Sequence, residues 1–194
     1  MIDYSKYKVS VPEGRSGDWK VEKFTVSEED ARFFNMRAMF SFSNRGRMIE
    51  SGTYTRLMRN GEVVMSDTPT EIGDHLWFMQ DAMGNVLLNG LGLGVVLNGV
   101  LLEDRVEKVV VNEISEDVIK LIAPHFKDSR ITINHADAFT WKPSLRFNFV
   151  WHDIWDNICE DNLKDMKRLH RKYGHYLQSP HFQGSWCRDW IEGR

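Results

Sequence analysis

The stretch VLLNGLGLGVVLNGVLLEDRVEKVVVNE, residues 86–113, carries the pattern from which the fold follows. An apolar run, Val86 to Leu88, stops at a glycine cluster (Gly90, Gly92, Gly94). A helical-period segment follows, and a second apolar run, Val109 to Val111, ends on Glu113. The order predicts a strand, a glycine turn, a helix and a second parallel strand with a carboxylate at its tip.

A chain leaving a buried strand for a helix must turn sharply, and missing Cβ atoms let a ligand lie against the backbone and the helix N-terminus. Asn89 and Gly90 to Gly94 are therefore the expected floor for a nucleotide-like ligand. Glu113, about 20 residues further on, is placed to accept hydrogen bonds from ribose hydroxyls.

Composition bounds the rest. With 194 residues, 42% hydrophobic content and a net charge of -3, the sequence reads as a globular chain with one good core. No run approaches the roughly 20 apolar residues of a membrane span, and MIDYSKYKVS has no signal-peptide core, so the expected location is the cytoplasm. Two cysteines, Cys159 and Cys187, are too few for a disulfide framework and are expected to be reduced. Net acidity argues against a nucleic-acid partner. The histidines at 170, 175 and 181 with Cys187 fit no zinc spacing, and no metal is expected. Ile191-Glu192-Gly193-Arg194 spells a protease-tag sequence and is left out of the functional reading.

In chain order, residues 1–18 read as an arm or loop, and Val21 to Val26 as a strand. Ser27-Glu28-Glu29-Asp30 opens a helix over Glu28 to Met39, expected to pack Phe33, Phe34 and Met36 to Phe40 on an apolar surface before Arg45-Gly46-Arg47 breaks it. Ile49 to Leu57 and Glu62 to Met65 flank Arg59-Asn60-Gly61, a strong hairpin signal. The basic residues Arg45, Arg47, Arg56 and Arg59 are expected on a solvated face. Two units result: a small β-rich unit over residues 1–67 and a second over residues 68–190, joined by a linker at Asp67 to Thr70.

A helix over Glu71 to Ala82 precedes the glycine unit, and its Asp74 and His75 are candidates for a cleft wall that meets substrate. After Glu113 come a helix from Ile114 to Ala123, a strand from Ile131 to Asn134 followed by Asp137 and Ala138, and a strand from Phe147 to Trp151 followed by Asp153, Trp155 and Asp156. Asn157 with Glu160 reads as a capping box for a helix from Glu160 to Tyr173, and the remaining tail reads as irregular. Strand-to-helix turns of a parallel sheet open on one edge, so Gly90 to Gly94, Glu113, Asp137 and Asp153 should converge on one crevice.

The glycine pattern is G-x-G-x-G, with Val95 where a dinucleotide fingerprint has its third glycine, which disfavours a nicotinamide oxidoreductase. Together with VEKVVVNEISEDVIKL and Asp153-Ile154-Trp155-Asp156, it resembles the class I S-adenosylmethionine-dependent methyltransferase superfamily, in its spermidine synthase-like branch. The resemblance spans roughly Ile49 to Gly174. It implies an α/β fold with a doubly wound, Rossmann-like, mostly parallel sheet, beside the N-terminal β-hairpin unit. It also implies that Gly90, Gly92 and Gly94 lie under the aminoacyl chain of S-adenosylmethionine or its decarboxylated form, that Glu113 holds the ribose, and that Asp137 and Ala138 contact the adenine.

Asp153 and Asp156 then stand where an Asp-x-x-Asp motif serves an amine acceptor, with Asp153 as proton acceptor and Trp155 beside the substrate. Aminopropyltransferases carry an Asp in the glycine turn where this chain has Leu91 and Leu93, so methyl transfer to a small molecule is the leading expectation. Aminopropyl transfer and a non-catalytic nucleoside-binding module are the alternatives. The few residues after Tyr173 lead to the expectation of a sheet truncated at its C-terminal end. Its lid would come from the N-terminal unit or a partner chain, and its open edge beside the fourth strand would pair in a homodimer.

Overall fold

The structure, a computed structural model, describes residues 2–40 and 48–193. The break expected at Arg45-Gly46-Arg47 lies outside them. Two sheets make up the protein. The first is antiparallel, in the order β1 (Gly14–Ser16), β2 (Trp19–Val26), β3 (Gly52–Arg59), β4 (Glu62–Ser66). Its last hairpin turns at Asn60 and Gly61, both at positive φ, as the Asn-Gly pair predicts. The connection from β2 to β3 carries α1 (Glu28–Met39), capped by Ser27, whose side chain accepts from the Asp30 amide.

The second sheet holds five parallel strands in the order β7-β6-β5-β8-β9. In sequence these are β5 (Gly84–Asn89), β6 (Val106–Glu113), β7 (Ile131–His135), β8 (Phe147–His152) and β9 (Leu177–Ser185). Helices α2 (Pro69–Asp81), α3 (Val95–Leu101), α4 (Glu116–Ile122) and α5 (Asn162–Gly174) pack on it, and a short α6 (Arg188–Ile191) closes the chain. The strand order reverses between β5 and β8, which opens a crevice at their carboxyl ends.

Five expectations need correction. The tail is not irregular, because residues 177–185 form β9 and cover the β8 edge on which the expected dimer rested. The strand escapes pattern reading because LQSPHFQGS has no alternation and carries a proline. Asn148 compensates for the lost ladder bonds: its Nδ2 donates to the Gln178 and Pro180 carbonyls, while its Oδ1 accepts from the Asn85 amide and Gln178 Nε2.

The amino-terminal arm is not loose. Tyr7, Val9 and Val11 are buried in the main core, and the Asn98 side chain donates to the Lys8 carbonyl. Asp67, expected in a linker, is buried and accepts from the amides of Val9 and Thr55, tying arm and hairpin together. Helix α5 starts at Asn162 rather than Glu160, since Asn162 Nδ2 donates to the Asn157 carbonyl and no capping box forms. Finally, α1 buries Ala31 and Ala38, and its large apolar residues face outward. One hydrophobic cluster, including Val21, Leu57, Phe78, Val86, Val109 and Trp151, runs through both sheets.

Candidate active site

The glycine turn is shaped by its neighbours. Gly90 sits at φ 102°, and a Cβ there would lie 1.9 Å from the Asp153 carbonyl oxygen. No side chain fits because the ends of β5 and β8 are laced together, with the Asp153 amide donating to the Asn89 carbonyl at 2.8 Å. Gly92, at φ 50°, faces the Met65 thioether, and the Leu93 amide donates to that sulfur at 2.9 Å.

Around this turn lies a cavity of about 990 Å³. Gly90 and Gly92 line it together with Glu113, Asp137 and Ala138, then Asp153, Trp155 and Asp156. His75 reaches it from α2 and Trp186 from the end of β9. The roof comes from the antiparallel sheet, through Asp18, Trp19, Leu57, Arg59 and Met65. The N-terminal unit was one of the two expected sources of a lid, but the residues that form it were not legible, since periodicity shows that a hairpin exists but not which end of it covers the crevice. The register does show it: Trp19 pairs with Arg59 at the cavity end, and Arg59 stacks over the Trp19 ring. Arg59, expected on a solvated face, points its Nη1 to within 3.9 Å of Asp156 Oδ2.

Three candidates lie elsewhere. Asn89 is only 1% exposed and belongs to a polar ladder across the sheet, accepting from Asn112 Nδ2 and bonded to His152 Nδ1. The ladder extends to Asn134 on one side and to the Gln183 side chain on the other. Gly94 packs against the Phe126 ring and opens α3. Asp74 faces a second cavity of about 580 Å³, where Trp186 Nε1 donates to its Oδ2.

The carboxylates of the main cavity are held in place by the backbone. Glu113, 8% exposed, accepts from the Leu91 amide at 2.9 Å through one oxygen and from the Ser115 amide at 2.8 Å through the other. Asp137 Oδ1 accepts from the Phe139 amide, and the Ala138 carbonyl accepts from Tyr173 Oη and Lys172 Nζ. Asp18, Glu71, Glu113, Asp117, Asp137, Asp153 and Asp156 all line the cavity, against, among the described residues, the guanidinium of Arg59 and the His75 ring. Such a surface favours cationic ligands.

Asp153 shows the strain of that grouping. Burial, followed by the charges of Glu71, Asp74, Glu113 and Asp156, pushes its carboxyl up to about 7. Its side chain keeps 19% exposure, and His75 Nε2 lies 3.7 Å from its Oδ2. A carboxyl that titrates near neutral pH and is open to a cavity can accept a proton from a bound ligand.

No family model and no curated protein matches the sequence. Solved structures do. Spermidine synthase from Thermotoga maritima is similar over 90% of this chain and 55% of its own, at 17% identity and a TM-score of 0.52. Over the matched part the chain shares the fold of that structure. A spermidine synthase in complex with the transition state analogue AdoDATO matches over the same shares at 18% identity and a TM-score of 0.55. N-methyltransferase NodS from Bradyrhizobium japonicum WM9, in complex with S-adenosyl-L-homocysteine, is similar over 60% of this chain and 61% of its own, at 14% identity and a TM-score of 0.49. The chain spans about half the length of the spermidine synthases it matches.

Proposed function

We propose that the cavity binds S-adenosylmethionine or its decarboxylated form and that the protein transfers a methyl group from it to a small amine. The observation that carries this reading is the convergence of Gly90, Gly92, Glu113, Asp137, Ala138 and Asp153 on one acid-lined cavity at the switch point of the sheet. The residues fit the donor. A glycine turn without room for Cβ atoms supplies the floor, and Glu113, oriented by two backbone amides, can accept from ribose hydroxyls. Asp137 and Ala138 follow β7 at the adenine end. The spermidine synthase matched above binds a transition state analogue in the same fold.

When bound, the donor supplies a sulfonium centre whose attached carbon an amine can attack. The chain's own residues do the rest. Surrounding carboxylates favour both the cationic donor and an ammonium acceptor, and Trp155 with Asp156 borders the acceptor side. Asp153 takes the proton that the amine must lose before its lone pair is available, and His75 stands behind it. The N-terminal unit, residues 1–67, acts as the lid through Trp19, Arg59 and Met65.

We place the protein in the cytoplasm, without a nucleic-acid partner and as a homodimer. Cys159 and Cys187 are thiols, and among the described residues no helix is long and apolar enough to cross a membrane. Offering labelled donor with candidate amines tests the reaction. Transfer is expected with the wild type and should fall by about 10²- to 10⁴-fold in Asp153→Asn, with donor affinity little changed. Wild-type transfer rates in that variant would remove Asp153 as the proton acceptor.

A further inference from the structure

The second cavity, of about 580 Å³, has a lining that the proposed reaction does not use. Trp77, Trp151, Phe182 and Trp190 give it four aromatic rings. The Trp77 ring stands at 80° to Trp151 with centroids 5.9 Å apart, and at 88° to Phe182 with centroids 4.5 Å apart, so three rings meet as a corner rather than a stack. Gly184 permits that corner, because a Cβ there would lie 2.6 Å from the Trp151 ring and 2.7 Å from the Phe182 ring. Trp77 and Trp190 keep 43% and 48% exposure, so indole surface stays open to a ligand.

The polar groups set the sign of that ligand. The carboxylates of Asp74 and Asp189 line the cavity. Arg188, which also lines it, is occupied within the chain: Nε and Nη2 donate to Glu192 Oε1, and Nη1 donates to His170 Nδ1 at 2.9 Å. Burial, followed by the charge of Arg188, holds the His170 ring down at about 4, so it adds no positive charge at neutral pH. A guanidinium only donates, so Nδ1 of the neutral ring accepts and Nε2 carries the proton that goes to Ser185 Oγ. That tautomer cannot take a proton from Ser185, which excludes a serine nucleophile here. Carboxylates beside aromatic rings attract a cation, and an alkylated ammonium, with few or no N–H groups to satisfy, suits ring faces best. We infer that the second cavity binds an alkylated ammonium ion, held by the rings of Trp77 and Trp190 and the carboxylates of Asp74 and Asp189. None of these four residues lines the main cavity, so this inference stands or falls separately from the proposed reaction.

Calorimetric titration with choline tests it, beside dimethylbutanol, the uncharged carbon isostere of choline, and with circular dichroism as a check on folding. Choline should bind the wild type at millimolar concentration or below, and the isostere about tenfold more weakly. Trp190→Ala and Asp189→Asn, both at exposed positions, should each weaken choline binding about threefold or more with unchanged helix content. No heat from choline at millimolar concentration overturns the inference, and so does equal affinity for the isostere. Binding at wild-type affinity in both variants overturns it as well, since the cation then belongs to the main cavity.

Discussion

Glu113 acts on both the ligand and the fold. As a carboxylate at a strand tip it was legible from sequence, and a cleft-facing acid suggests little consequence for folding. The structure revises that, because both oxygens already hold backbone amides that shape the glycine turn. Glu113→Ala should therefore weaken nucleoside binding about tenfold or more and also cost about 1–3 kcal/mol of stability. Calorimetric titration with denaturant unfolding checks both. Gly90→Ala belongs to the same turn. A Cβ against the Asp153 carbonyl at positive φ should cost about 1–3 kcal/mol or more, lowering Tm by several degrees and abolishing donor binding.

Asp153 gives a pH signature with two parts. Its folded carboxyl titrates near 7, above the ordinary aspartate value of 3.8, so the folded state binds the proton more tightly than the unfolded chain. The stabilisation is full below about 4 and is lost as pH rises towards and through 7. Asp153→Asn should thus flatten the fall of Tm between those values and be the more stable protein at neutral pH. Turnover should run the other way, rising as the carboxyl deprotonates through about 7. A wild-type Tm that climbs across this window would contradict the assignment.

Among the elements, those with a periodic pattern and punctuated ends were legible. The glycine unit β5-α3-β6, the hairpin β3-β4 and the bounds of α1 all follow from the sequence. Elements held by specific side chains were not. β9 lacks alternation and depends on Asn148, whose three hydrogen bonds to Gln178 and Pro180 replace ladder bonds around the proline. Asn148→Ala should lower stability by about 1–3 kcal/mol, read as a lower urea midpoint, and should loosen β9 first in hydrogen exchange. The outward face of α1 was equally hidden, since apolar content shows that a face will be covered but not by what. Capping at α5 failed for a related reason: Asn157 contributes its backbone carbonyl, which residue type does not reveal.

In the whole molecule, the site joins two sheets. The floor was readable because parallel strands put all their carboxyl ends on one edge, so Gly90, Glu113, Asp137 and Asp153 could be gathered from sequence alone. For the roof only its two possible sources, the N-terminal unit or a partner chain, were readable; Trp19, Arg59 and Met65 reach the crevice through the docking of the antiparallel sheet, which no local pattern encodes. Asn89 shows the opposite error, a polar residue at a strand end that serves the ladder between strands rather than the cavity. A nucleoside donor seated between glycine turn and roof is central to the proposed function. Calorimetric titration of S-adenosylmethionine into wild type and Glu113→Gln tests it most directly. One site per chain, weakened about tenfold or more by the loss of that single charge, is the predicted result. No heat of binding in the wild type, or equal affinity in both proteins, would contradict it.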